Sequence, residues 1–188
     1  MQRKTPRVLG VDDGPFRKGQ KDSVPIVGVV MEGSLLVEGV AIGSFPVDGD
    51  GATEYLSEWI GAMRWAPALQ AVLLGGVTLA GLGLVDIEEL SRRLGVPVLS
   101  TTRRETGTSA LGDALRAAGL SERLPLLDRI PPCREVRSGL FVTHAGTTAG
   151  DADAIVFSTL GLSNIPEPIR IAHLIGAALE RGASRGRA

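Results

Sequence analysis

The order of elements along this 188-residue chain predicts an α/β fold on one mixed sheet, with three antiparallel strands followed by parallel strands entered through helical crossovers. Three observations carry that prediction. Apolar runs at 7–12, 24–32 and 35–47 come first, the last two separated only by a turn signal. Two short runs follow, a wholly apolar one at 71–75 and a mostly apolar one at 96–100, of the kind that suits central parallel positions. Between and after these, apolar residues recur at helical spacing.

The first strand, 7–12, runs into Asp12-Asp13 and is stopped by Gly14-Pro15. Side chains alternate along a strand, so Val11 and Asp13 face one side and Asp12 the other. Two unit charges about 4 Å apart repel by roughly 4 kcal/mol at an effective dielectric of about 20. Such a pair wants a cation, a set of hydrogen-bond donors or a raised pKa. A metal site satisfies it, and so does a plain turn, since Asp-Asp-Gly-Pro is good turn chemistry.

The segment 14–23 is polar and reads as an exposed loop. Strands 24–32 and 35–47 meet at Glu32-Gly33-Ser34 and form an antiparallel hairpin. Gly39 and Gly43 in the third strand predict a bulge or a close backbone approach. The segment 48–54 (DGDGATE) opens a helix to about Trp65, with Asp50 or Thr53 as cap and Leu56, Ile60 and Met63 on one face. After 71–75 comes a Gly-rich loop, 76–85. Asp86 caps the next helix, which runs to Leu94 and ends at Gly95. Strand 96–100 leads into Arg103-Arg104-Glu105, then helical stretches near 109–118 and 120–128. Pro131-Pro132 breaks the pattern, and 140–144 (LFVTH) reads as an edge strand. Helices over 151–159 and 166–181 finish the chain, with Pro166 and Pro168 near the start of the last, where proline costs least. The first strand therefore lies centrally, between the second and the 71–75 strand. This is the order of a ribonuclease H-like sheet.

Length and composition are those of a single domain, 1–188, that buries roughly 70% of its unfolded surface. A net charge of −1 gives no global pull toward nucleic acid. Aromatic residues make up 4% of the chain, too few for base-stacking platforms. Basic residues gather at Arg3, Lys4 and Arg7, at Arg17, Lys18 and Lys21, and at Arg181, Arg185 and Arg187, as solvated termini and loops commonly do. Cys133 is the only cysteine, which excludes an internal disulfide and a thiolate cluster. The N-terminus lacks the apolar core of a secretory signal, and no apolar run reaches about 20 residues, so a cytoplasmic protein without a membrane span is expected.

Several polar residues have two explanations each. Asp50 and Glu54 suit a helix start as well as a metal site. Arg103 and Arg104 follow a strand, where they either contact phosphate or are simply solvated. Arg170 lies three residues from Glu167 and pairs with it naturally, while His173, three further on, is either a general acid–base or a hydrogen-bonded structural histidine. The loop 75–83 has neither a dinucleotide fingerprint nor a P-loop lysine.

Longer motifs carry a resemblance. The opening RVLGVDDGPF (7–16), VDGDGATE (47–54), GLGLVDI (81–87), NIPEPIRIAHL (164–174) and ERGASRGR (180–187) resemble, in order, the motifs of an archaeal family catalogued as domain of unknown function ninety-nine. That family is itself similar to endonuclease V, a metal-dependent nuclease of ribonuclease H-like fold that acts beside deaminated bases. The resemblance implies Asp12 as the strand-end metal aspartate, with Asp50 or Glu54 completing a site for Mg²⁺ or Mn²⁺ and Asp13 or Asp86 as a partial substitute for a missing ligand. It implies phosphate positioning by Arg103, with Arg104, Arg170 and His173 as further substrate contacts, and DNA or RNA as partner. One departure stands out. Endonuclease V carries a second strand-end aspartate in an Asp-Gly pair, and here Gly75-Gly76 takes that place. Gly83, where the family motif has Asn, is a second loss of polar capacity. The expected activity is therefore a weakened metal-dependent phosphodiesterase, and the alternative is a nucleic-acid- or nucleotide-binding protein without catalysis.

Overall fold

In the computed structural model, which describes residues 5–16, 22–105 and 107–184, seven strands form one mixed sheet. The motif residues Arg3, Lys4, Arg17, Lys18, Lys21, Arg185 and Arg187 lie outside the described residues. Strands β1 (Arg7–Asp13), β2 (Ser23–Glu32) and β3 (Leu36–Pro46) are antiparallel, with β1 flanked on its other side by parallel β4 (Ala71–Leu74). The sheet continues through β7 (Val98–Thr102), parallel to β4, to β9 (Leu140–Ala145) and β8 (Arg134–Arg137), both antiparallel. The α/β class and the central place of β1 are as the sequence predicts.

Helices cover both faces, and alternation decides which strand residues each face receives. Leu9, Val11, Val72, Leu74 and Val98 pack under α1 (Ala52–Gly61) and α2 (Ile87–Leu94), against Leu56, Ile60, Ile87 and Leu90. Val8, Leu73, Leu99, Leu140 and Val142 pack under α5 (Ala149–Thr159) and the start of α6 (Glu167–Arg181), against Val156 and Ile169. Val27, Val29 and Met31 of β2 meet Ala172 of α6.

Glycines set how closely these layers approach. A Cβ on Gly10 would collide with the Pro168 backbone and side chain, so α6 descends onto β1 only because position 10 has none. Gly39 lies under the ring of Trp65, and Gly43 under Tyr55 and Trp59, the close approach that two mid-strand glycines predict. The register also shifts between Val30 and Met31, where Glu38 of β3, next to Gly39, is the extra residue of a bulge. Gly10→Ala is expected to destabilise the protein by about 1–3 kcal/mol through overpacking. A lower denaturant midpoint in urea would record it, and an unchanged one would show that α6 can retreat.

Four local expectations are corrected. Helix α1 is shorter than 48–65 and is entered through Gly51 in the left-handed region (φ 72°), with no side-chain cap from Asp50 or Thr53. Thr53 is instead turned to α2, where its hydroxyl accepts the Asp86 N–H at 3.0 Å. The Gly-rich loop 76–85 holds a two-stranded ribbon, β5 (Thr78–Leu79) with β6 (Gly83–Leu84), too short for alternation to reveal. The stretch 120–128 is a 3₁₀ turn (Ser121–Arg123) followed by one turn of α4 (Leu124–Leu127), after α3 (Thr108–Ala117). Finally, 140–144 is not an edge, because β8 covers it; Arg-Glu-Val-Arg has too little apolar pattern to announce a strand. Asp86 caps α2 as expected, accepting the Glu89 N–H at 3.0 Å, and Gly95 closes that helix in the left-handed region.

Candidate functional site

The parallel strands β1, β4 and β7 end along one edge of the sheet, and the polar residues that follow their apolar cores converge there. Asp12 ends β1 on the α6 side. Its Oδ2 lies 2.9 Å from Nδ1 of His173, two turns into α6. The Asp12 hydrogen bond holds His173 above the ordinary imidazole pKa, with burial and the charge of Arg103 opposing and the charges of Asp12 and Asp13 assisting. Approach of α6 at this level depends on Gly176, whose absent Cβ would touch Gly14 Cα at 3.1 Å.

A cleft of about 330 Å³ opens beside this pair. Its polar wall is Asp12, Thr101, Thr102, Arg103, Arg170 and His173, and Leu140, Ile165 and Ile169 supply an apolar floor. Thr101 Oγ1 is buried in it and bonds to no group among the described residues. Arg103 and Arg104 continue along a neighbouring groove of about 710 Å³, which runs past Gly75, Gly76 and Thr78 to Leu111 of α3.

Asp13 points through the sheet to the opposite face. It lines a second cleft of about 290 Å³ with Phe16, Leu56, Thr78 and Val85, and this cleft adjoins the first at Asp12 and Gly75. Burial pushes its carboxyl up to about 6, helped by the neighbouring Asp12 charge and opposed by hydrogen bonds from its own backbone and that of Ala80. The two carboxylates therefore leave β1 on opposite faces, and both border this second cleft.

Gly75 stands where the second strand-end aspartate was looked for. Its N–H donates to Val11 O at 3.0 Å, and a Cβ on it would lie 2.5 Å from Asp12 Oδ1. A carboxylate at 75 would thus share Asp12's immediate space, and glycine leaves that space open. Asp50 and Glu54 are placed elsewhere. The Asp50 side chain is 89% exposed, with its carboxylate 4.0 Å from Arg123 Nε, and Glu54 pairs with Arg93 of α2 at 2.9 Å. Neither lines the clefts around Asp12. Among the described residues, no group of three or more His, Cys, Asp or Glu is gathered to hold an ion.

The structure thus brings Asp12, Arg103, Arg170 and His173 into one cleft and keeps Asp13, Asp50 and Glu54 out of it. Arg170 does pair with Glu167, yet it also lines the cleft. Thr101 and Thr102 also line the cleft, although nothing in the motifs singles them out. Their signal was polarity at the end of a buried strand, Ser-Thr-Thr-Arg after Val-Leu. No described helix is long and apolar enough to cross a membrane.

A UPF0215 protein of Methanothermobacter thermautotrophicus is 36% identical, over 97% of this chain and 91% of that one. A solved protein of unknown function from Archaeoglobus fulgidus superposes with a TM-score of 0.83 at 29% identity, over 92% of this chain and 97% of that one. Endonuclease V of Ciona intestinalis, solved in complex with a 24mer DNA containing an inosine followed by a ribo-adenosine, shares the fold. Its TM-score is 0.56 at 14% identity, over 89% of this chain and 82% of that one. The expected likeness to endonuclease V therefore holds at the level of fold. Residues 4–180 match the endonuclease dU model, and with relatives alike along nearly its whole length the chain belongs to the endonuclease dU family.

Proposed function

We propose that the chain hydrolyses phosphodiester bonds in DNA or RNA with a divalent ion recruited together with its substrate. The observation that carries this is the Asp12–His173 pair, 2.9 Å apart, in a cleft that Arg103 and Arg170 also line. Family membership and the DNA-bound endonuclease V of the same fold support a nucleic-acid substrate.

The donor set fits a weakly held ion. Mg²⁺ is often bound through one or two carboxylates plus substrate phosphate and waters, and Asp12 meets the lower count. When bound, Mg²⁺ or Mn²⁺ supplies Lewis acidity at the phosphoryl group. Asp12 would hold it through Oδ1, on the Gly75 side, while Oδ2 keeps His173. With Nδ1 committed to Asp12, His173 has Nε2 to take or give a proton at the reacting oxygens. Arg103 and Arg104 steady the strand's phosphates, as planar guanidinium groups do well.

The test is cleavage of labelled DNA and RNA strands, including inosine- and uracil-containing ones, with Mg²⁺, Mn²⁺ or chelator. Metal-dependent cleavage is expected. Salt-sensitive binding with no cleavage under any metal would instead establish the non-catalytic binding protein, which the ion pairs of Asp50 and Glu54 and the bare Gly75 favour.

Gly75→Asp probes the ion directly. Without metal it is expected to destabilise the protein by about 1–3 kcal/mol, through crowding and like charge against Asp12. Added Mn²⁺ is expected to restore the melting temperature by binding the native state. A variant as stable as wild type and indifferent to Mn²⁺ would mean that the two carboxylates do not meet.

A further inference from the structure

Glu167 and Arg170 form a fork-to-fork pair in the first turn of α6. Arg170 Nε donates to Glu167 Oε1 at 2.9 Å and Nη2 to Oε2 at 2.7 Å. The partners differ in exposure. The Glu167 side chain is 12% exposed, whereas the Arg170 side chain is 30% exposed and lines the cleft with Asp12, Arg103 and His173. The buried partner sits against a glycine: a Cβ on Gly161 would come within 2.7 Å of Glu167 Oε1 and 2.9 Å of Cδ. The carboxylate also has the favourable end of the helix, where negative charge is stabilised. It is held from three sides, and it fixes the guanidinium in turn.

We propose that Glu167 is a positioning residue, which sets the Arg170 guanidinium in the cleft so that its remaining N–H groups grip a backbone phosphate of the nucleic-acid strand. This rests on the assignment of the cleft to a nucleic-acid phosphodiester. Five N–H donors make up a guanidinium, and Glu167 occupies two. Three remain for phosphate oxygens on a plane already oriented, so little side-chain freedom is lost on binding. The arrangement has an electrostatic cost, because Glu167 brings a negative charge toward a polyanion. That cost makes the proposal testable, since charge alone and orientation predict opposite signs.

The experiment measures binding of a labelled single-stranded oligonucleotide in chelator, where no metal-dependent cleavage competes, across a salt series. Arg170→Ala is expected to weaken binding about tenfold and to reduce the slope of log K against log salt by about 0.7, one phosphate contact. Glu167→Gln, although it removes a negative charge, is expected to weaken binding about threefold with the slope retained, because the fork is no longer held. Arg170→Lys, which keeps the charge and loses the fork, is expected to match it, and it serves as the readout if Glu167→Gln does not fold. Tighter binding by Glu167→Gln, or an unchanged slope in Arg170→Ala, overturns the proposal while leaving the cleft's assignment intact. Wild-type protein that binds no oligonucleotide at any salt concentration overturns the proposal, and if metal-dependent cleavage is absent too, the cleft's assignment falls with it.

Discussion

Alanine at position 12 is expected to reduce metal-dependent cleavage by about a thousandfold or more, to the level of a blank, since a single positioned electrostatic group is commonly worth about 10²–10³ and Asp12 serves two roles. It is the carboxylate on the cleft side of β1, and it is also the hydrogen-bond partner of His173. No other acid lines the cleft with His173: Asp13 lies in the adjoining one, Glu54 pairs with Arg93, and Asp50 is exposed near Arg123. Asp12→Asn separates the roles: it keeps an acceptor for His173 and removes the charge that would hold an ion. Equal cleavage by wild type and Asp12→Ala would remove Asp12 from the chemistry. A second readout is independent of activity. The His173 pKa, raised chiefly by Asp12, should fall in the alanine variant when followed by NMR. A raised histidine stabilises the fold below its unfolded pKa, and this contribution fades as pH climbs through the folded value. The variant should therefore lose stability most at acidic pH.

Asp13→Asn is expected to stabilise the protein at pH 7 to 8, by up to about 3 kcal/mol. The figure follows from a carboxyl displaced from 3.8 to about 6, at about 1.4 kcal/mol for each pH unit. The sign is the reverse of an ion-paired acid. Because the folded pKa lies above the unfolded one, the native state binds the proton more tightly, and stability falls as pH rises from about 4 to 6. Above that window the full cost of a buried charge beside Asp12 is carried by the wild type. An asparagine has the same shape, keeps an acceptor for the Ala80 N–H, and has no charge to desolvate. Urea denaturation of both proteins at pH 4 and pH 8 measures the effect: similar midpoints at the lower pH, and a higher midpoint for Asp13→Asn at the upper one. A variant weaker than wild type at pH 8 would show that the Asp13 charge has a favourable partner at this site.

By itself, the sequence determined those features that depend on neighbours in the chain. Alternation along 7–13 assigns Asp12 and Asp13 to opposite faces, and the structure keeps them there. Short apolar runs became buried parallel strands, Glu-Gly-Ser became a hairpin turn, and Asp86 became a cap, because each rests on a local period or a local hydrogen bond. Motif order was legible in the same way, and with it the likeness of fold to endonuclease V. Only the tertiary structure decided which of the candidate side chains meet. Asp12 and His173 are 161 residues apart and touch because Gly10 and Gly176 let α6 settle onto β1. Glu54 instead pairs with Arg93 and Asp50 lies exposed near Arg123, which no spacing in the sequence foretells. The edge strand β8 formed from four residues with one apolar side chain because β9 offered it an open ladder of backbone groups. Strand faces follow from a period of two residues, whereas a site depends on where packed layers stop, and in this protein that is set by the glycines between them.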